Sequence, residues 1–289
     1  MRNFFRNNLT FLECSSSYED ADICLFGAPF DSTASFVPGS RFAPQNMRQN
    51  SYGLETYSPR QDKDLTEMNI FDCGDIEVAL GNTEKTLNAI SDTFDRILSD
   101  NKTPVMIGGE HTVTLAGIRS AYKKYGDSLR VIHFDAHTDL RDEMYGVYLS
   151  HATVIRRAAE LLGDKKIYQF GIRSGEKEEF LYGEKHNILH KFDLLTLDNV
   201  IEKLKEVNAP VYFTLDLDIL DPSFFPGTGT IEPGGISFTE LIEAVIKIGS
   251  NLNIAAFDMV ELCPPNDQSG ASCAVALKTL REFLLSIKK

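Results

Sequence analysis

Six short runs of nearly unbroken apolar and β-branched residues recur along the chain, and they limit the fold more than any other feature. They are ICLFGAP (23–29), PVMIGG (104–109), RVIHFDAH (130–137), KIYQFGIR (166–173), PVYFTLDLDI (210–219) and NIAAFDMVEL (253–262). A strand with one wet face alternates apolar and polar residues, whereas a strand covered on both faces reads as a continuous apolar run. Helical patterns lie between them. Leu87, Ile90, Phe94 and Ile97 fall at helical spacing within 84–99, and Leu241, Ile242, Val245 and Ile246 do so within 238–249. Ser237 with Glu240 three residues on forms a capping box, and 271–287 reads as a closing helix. Such alternation, with no flexible linker and no internal repeat, predicts one α/β domain on a parallel sheet, with a (β/α)8 barrel as the alternative. In either architecture the loops at the carboxyl ends of the strands build the site.

The residues at those strand ends are unusual. GGEHT (108–112), DAHTD (135–139), DLDILDP (216–222) and MVELCPP (259–265) place acids and histidines where apolar runs finish. On extended backbone, positions i, i+2 and i+4 share a face, so Asp135, His137 and Asp139 are expected to converge, as are Asp216 and Asp218. Crowded carboxylates repel and resist ionisation unless a positive charge sits among them. No cluster of Lys or Arg lies nearby in sequence, so a divalent metal is the economical answer. A single Asp-x-Asp is more often a turn or cap, and a single buried His is more often hydrogen-bonded than metal-bound. Two acid clusters on separate strands, together with His111 and His137, argue against that reading. Four carboxylates and two imidazoles without a thiolate suit Mn(II) better than structural zinc. Six ligands exceed the needs of one catalytic ion with an open position, so two ions sharing an activated water fit better.

Composition narrows the partners. At 289 residues, 43% hydrophobic and 25% charged, the chain has the make-up of a soluble globular protein. A net charge of -13 argues against nucleic acid and anionic membranes and is compatible with a cationic substrate. The cysteines Cys14, Cys24, Cys73, Cys263 and Cys273 are odd in number and form no CxxC pair, as expected of reduced thiols in the cytoplasm. No stretch approaches a membrane span or a leader's apolar segment.

GGEHT, HFDAHTD, SHATVIRRA (150–158), DLDILDPSFFPGTGTIEPGG (216–235) and FDMVELCPP (257–265), preceded by PFDSTASFVPGSRFAPQNMR (29–48), resemble in order and spacing the ureohydrolases, the arginase and agmatinase family. The resemblance runs from about residue 22 to the C-terminus, leaving 1–21 as an N-terminal extension of a single domain over 1–289. It implies a three-layer α/β/α sandwich with a central, mostly parallel sheet, as in arginases and deacetylases, and assembly as homotrimers or homohexamers. It also implies two Mn(II) per subunit, held by His111, Asp135, His137, Asp139, Asp216 and Asp218, and hydrolysis of a guanidinium group to urea and an amine by a metal-bridging hydroxide. Glu261 resembles the carboxylate that grips the guanidinium, and His151 the proton shuttle, with Asp139 also accepting a proton.

The loop LRDEMYGVYLSH carries Asp142 and Glu143, expected to repel a carboxylate tail and welcome an ammonium. With VELCPPND and SHATVIRR, this points to the agmatinase branch, although Ala152 stands where many agmatinases have Gly. Arg141 pairs with Asp142 or faces a substrate carboxylate, and the second option keeps guanidinobutyrate and guanidinopropionate open. A one-zinc deacetylase lacks the full two-metal set, a non-catalytic relative would lack a ligand, shuttle or clamp, and a two-metal phosphohydrolase leaves Glu261 unexplained. His133 is expected to support the site, His186 and His190 to lie in a polar connecting segment, and Asp75 and Asp221 to form turns or supports. GTGTIEPGG reads as a rigid turn near the site.

Overall fold

The six apolar runs become the six central strands of an eight-stranded sheet in which every pairing is parallel. The structure, a computed structural model, describes residues 9–287. In chain order the first half contains β1 (Ile23–Gly27), α1 (Ala43–Ser51), the two-residue strands β2 (Tyr57–Ser58) and β3 (Lys63–Asp64), β4 (Ile70–Asp75), α2 (Thr83–Ser99), β5 (Thr103–Ile107), α3 (Thr114–Tyr125) and β6 (Arg130–Phe134). The second half contains α4 (Val154–Leu162), β7 (Ile167–Ile172), α5 (Lys177–His186), β8 (Ile188–Lys191), α6 (Leu197–Glu206), β9 (Pro210–Asp216), α7 (Phe238–Asn251), β10 (Asn253–Val260) and α8 (Ala271–Ser286). The spatial order β4-β1-β5-β10-β9-β6-β7-β8 is an open sheet with two edges, not a barrel.

Side chains alternate across the sheet into two apolar layers. Along β9, Val211, Phe213 and Leu215 face the layer built with α6, α7 and α8, while Tyr212 faces the layer of α2, α3 and α4. The result is the expected three-layer α/β/α sandwich. The four apolar positions of α2 are all fully buried, and the Ser237–Glu240 capping box forms at the start of α7. At Gly117 on α3 an added Cβ would stand 2.1 Å from the Tyr212 hydroxyl, so glycine is what lets α3 lie against β9. Among the described residues no helix is long and apolar enough to cross a membrane.

One sequence expectation changes here, and the N-terminal extension gains detail. The segment before residue 22 is part of the domain from residue 9 onward: Phe11 is buried, its N–H donates to Asp72 Oδ2 at 2.8 Å, and Ser15 bridges to Phe71 on β4. Residues 1–8 of the expected extension lie outside the described residues. His186 and His190 belong to regular elements, not to a connecting segment. His186 closes α5 and meets Asp164 at 2.7 Å, and His190 lies on β8, stacked on Phe170 with ring centroids 4.5 Å apart.

Candidate metal centre and its cavity

Four adjacent central strands, in the order β5-β10-β9-β6, deliver the candidate residues to one edge of the sheet. His111 follows β5, Glu261 follows β10, Asp216 ends β9 with Asp218 just beyond, and Asp135, His137 and Asp139 follow β6. The chain passes from β5 directly to β6, and β9 and β10 later fill the gap between them, so the site lies where the strand order switches. Convergence is real, but its route is not strand alternation. β6 stops at Phe134 and Asp218 sits in a 3-10 turn (Leu217–Ile219). Asp139 adopts φ 53 and Glu261 φ 66, left-handed backbone that non-glycine residues seldom take. Extended backbone would have spread the acids along the edge; tight turns fold them together.

His111 Nδ1 lies 3.0 Å from Asp135 Oδ2, 3.2 Å from Asp139 Oδ2 and 3.2 Å from Asp216 Oδ2. A second group forms around His137 Nδ1, 3.0 Å from Asp218 Oδ2 and 3.5 Å from Asp135 Oδ1. Asp135 thus turns one oxygen to each group, as a carboxylate shared by two cations would. His111 Nδ1 is buried without a hydrogen-bond partner. Burial alone would make the His111 imidazole harder to protonate, yet contact with Asp135, Asp139 and Asp216 holds its pKa well above the ordinary value. Burial, reinforced by the charge of Asp135, pushes Asp139 up to about 7, and burial with the charges of Asp218 and Asp135 raises Asp216 well above the carboxylate range. Left to itself the cluster must hold protons. Divalent cations fit the donor set and remove that need.

Buried polar residues fix which nitrogen each histidine presents. Thr214 on β9 donates to Asp258 Oδ1 on β10 at 2.6 Å and, with its proton so committed, accepts from His111 Nε2 at 2.9 Å. That leaves His111 Nδ1 as the lone-pair atom facing the carboxylates. The Gln169 amide on β7 donates to His133 Nδ1 at 3.1 Å, so His133 Nε2 carries the proton it gives to Asp135 Oδ2 at 2.8 Å. His133 is near enough to the first group to be a ligand by distance alone, but both its nitrogens are engaged. It orients Asp135, the supporting place expected for it.

Glu261 accepts the His111 N–H with Oε1 at 2.8 Å and lines the cavity beside the cluster. Burial and the nearby charge of Glu110 raise its pKa well above normal, so it gains from a cationic partner. His151 Nε2 lies 3.1 Å from Ser35 Oγ and Nδ1 3.4 Å from Thr33 Oγ1, and Thr33 is itself held by Glu110 at 2.5 Å. Burial, then the positive charge of His137 and His111, lowers His151 to about 4, so its ring is neutral at pH 7.

His111, His137, Asp139, Asp216, Asp218, His151 and Glu261 line a cavity of about 340 Å³, a volume suited to a small ligand. Arg141, Ala152, Glu176, Glu179 and Glu232 share the lining; Asp142 and Glu143 do not. Asp142 points to Arg157 at 2.9 Å, and Glu143 is exposed beside it. The acidity expected of that loop comes from other segments instead. Arg141 pairs with Glu176 at 3.0 Å, not with Asp142. The GTGTIEPGG turn does approach the site, and Arg173 fastens it: its guanidinium donates to the carbonyls of Asp218, Glu232 and Pro233 at 2.8, 2.7 and 3.1 Å. Asp221 accepts from Ser223 and Gly234 and forms the expected turn, whereas Asp75 anchors the buried Arg48 on α1. Thr214, Gln169 and Asp258 escaped the sequence reading, though each is a polar residue inside an apolar run and so carried a signal.

A parallel three-layer α/β/α sandwich with a His/Asp centre at its switch point defines the class of protein. The arginase family model matches residues 21–286. An agmatinase from Bacillus subtilis (strain 168) is 46% identical over 282 residues, covering 96% of each chain. The crystal structure of an assigned agmatinase from Clostridium difficile superposes with a TM-score of 0.89 at 47% identity, covering 94% of this chain and 98% of that one. A human mitochondrial guanidino acid hydrolase is 31% identical over 291 residues, 96% of this chain and 82% of its own. The chain belongs to the arginase family of ureohydrolases, and its resemblance is strongest to agmatinases.

Proposed function

We propose that the protein hydrolyses agmatine to putrescine and urea. The observation that carries this reading is Asp135, one oxygen turned to each ligand group, together with Glu261 in the lining of the cavity beside them. His111, Asp135, Asp139 and Asp216 would hold one cation, and His137, Asp135 and Asp218 the other. Two Mn(II) ions there would lower the pKa of a shared water and polarise the reacting centre.

The rest falls to the chain's own side chains. The guanidinium carbon is a poor electrophile because its charge is spread over three nitrogens, so orientation matters. Glu261, held by the His111 N–H, grips the guanidinium by charge-assisted hydrogen bonds and presents its carbon to the centre. The Asp139 carboxylate takes the proton released as the C–O bond forms and hands it to the amine nitrogen, regenerating the carboxylate. His151, neutral at pH 7 and tied to Ser35 at the exposed rim, passes a proton from solvent to the departing amine nitrogen as the C–N bond breaks. Water is added across that bond, giving urea and a protonated amine.

The relatives named agmatinase support the choice of substrate. One observation favours a guanidino acid instead: Arg141 lines the cavity. Urea release from agmatine, arginine, 4-guanidinobutyrate and guanidine by Mn-loaded protein separates the two. Agmatine is expected to be the preferred substrate. No urea from any of the four overturns hydrolysis, and preference for guanidinobutyrate overturns the choice of agmatine.

A further inference from the structure

The part of the cavity away from the metal residues holds three carboxylates and one guanidinium among the described lining residues. Glu179 is fully committed. Its Oε1 accepts from the Thr138 hydroxyl at 2.5 Å and the Leu140 N–H at 3.2 Å, and its Oε2 accepts the Glu176 N–H at 2.7 Å. It binds the start of α5 to the metal-bearing loop. Arg141 is committed as well: Nη2 lies 3.0 Å from Glu176 Oε1 and Nε 3.5 Å from Glu179 Oε2. Glu232 differs from both. Its backbone carbonyl is fixed by Arg173, which sets where the residue sits, but its half-buried carboxylate makes no hydrogen bond or ion pair among the described residues.

We propose that the Glu176–Arg141 ion pair sets the charge preference of the substrate-tail pocket, by withdrawing Arg141 as an anion receptor and leaving Glu232 as the partner of an ammonium tail. This rests on the functional reading above and names the residues behind its choice of tail. Arg141 is the group that would bind a carboxylate tail, and Glu176 occupies it with a bidentate-capable carboxylate. A guanidino acid entering the pocket would have to displace Glu176 and leave Glu232 facing a like charge, and both effects discriminate against it. An ammonium tail displaces nothing and meets an unpaired carboxylate.

The test uses the full-length, Mn-loaded protein and three substrates that differ only in the tail: agmatine, 4-guanidinobutyrate and pentylguanidine, in which a methyl group stands for the ammonium. Glu232→Gln is expected to lower kcat/KM for agmatine at least tenfold more than for pentylguanidine, mainly through KM. Glu176→Gln keeps an oxygen to cap α5 while freeing Arg141, and is expected to raise kcat/KM for guanidinobutyrate relative to agmatine at least tenfold. Adding Arg141→Gln to Glu176→Gln should abolish that gain, which mere loosening of the pocket would not do. Equal losses for agmatine and pentylguanidine in Glu232→Gln, or an unchanged tail ratio in Glu176→Gln, overturn the proposal while wild-type turnover of agmatine leaves the function standing. A wild-type enzyme that releases urea from none of the three overturns both.

Discussion

His111 Nδ1 has three carboxylate oxygens within about hydrogen-bond distance and a lone pair aimed at them, so removing one carboxylate removes a ligand without opening a hole. Asp216→Asn is therefore expected to lose most bound manganese while keeping native circular dichroism; full retention of metal would mean that Asp216 is not a ligand. His151 stands apart from the ligands and acts through its ring nitrogens. His151→Ala is expected to cut kcat by about 10²–10⁴ with metal content unchanged, as removal of a proton relay does. The ligand types were legible in the sequence because acids and histidines ending apolar runs have few structural excuses. Asp142 and Glu143 were misplaced because loop acidity does not say where side chains point: Asp142 turns to Arg157 and Glu143 is exposed. Glu176 and Glu232 could not be seen at all, since they reach the cavity from α5 and the loop before α7 through tertiary packing.

At the level of elements, the strands found from sequence are the ones buried on both faces. The two strands of the eight-stranded sheet that were missed, β4 and β8, are its edges, where IFDCGD and ILHK carry polar residues to a half-covered position. Of the helices not located from sequence, α1, α3, α4, α5 and α6, the clearest case is α5, whose buried positions are Glu179 and Gly183 and leave no apolar stripe to count. Ser237→Ala removes the acceptor that caps α7 and is expected to cost about 1 kcal/mol, read as a shift in the urea midpoint with unchanged slope. Arg173 acts between elements. From the end of β7 it bonds the turn bearing Asp218 and the loop bearing Glu232, so Arg173→Ala should raise both the manganese dissociation constant and the KM for agmatine. An effect on one alone would show that the two segments are held independently.

For the whole molecule, the metal centre ties stability to pH and cation supply. Protons and cations compete for the same oxygens, and the carboxyl of Asp139 is pushed up to about 7. Below that pH its protonated form competes with metal, so apparent manganese affinity should fall by at least about tenfold per pH unit there. Titration calorimetry between pH 5.5 and 8 measures this, and a flat profile would contradict it. Because cations bind only the folded arrangement, chelation should lower Tm, by an amount that grows with the metal concentration it replaces.

The left-handed backbone at Asp139 and Glu261 has a consequence for how such a protein would respond to selection. Each such residue costs on the order of 1–3 kcal/mol relative to a relaxed backbone, and glycine at the same position would not bear it. In the presence of chelator, Asp139→Gly should melt at a higher temperature than the wild type, since it relieves both the backbone and a crowded carboxylate. With manganese supplied, the order should reverse. Breeding this enzyme for heat resistance without metal would therefore favour clones that have discarded its chemistry.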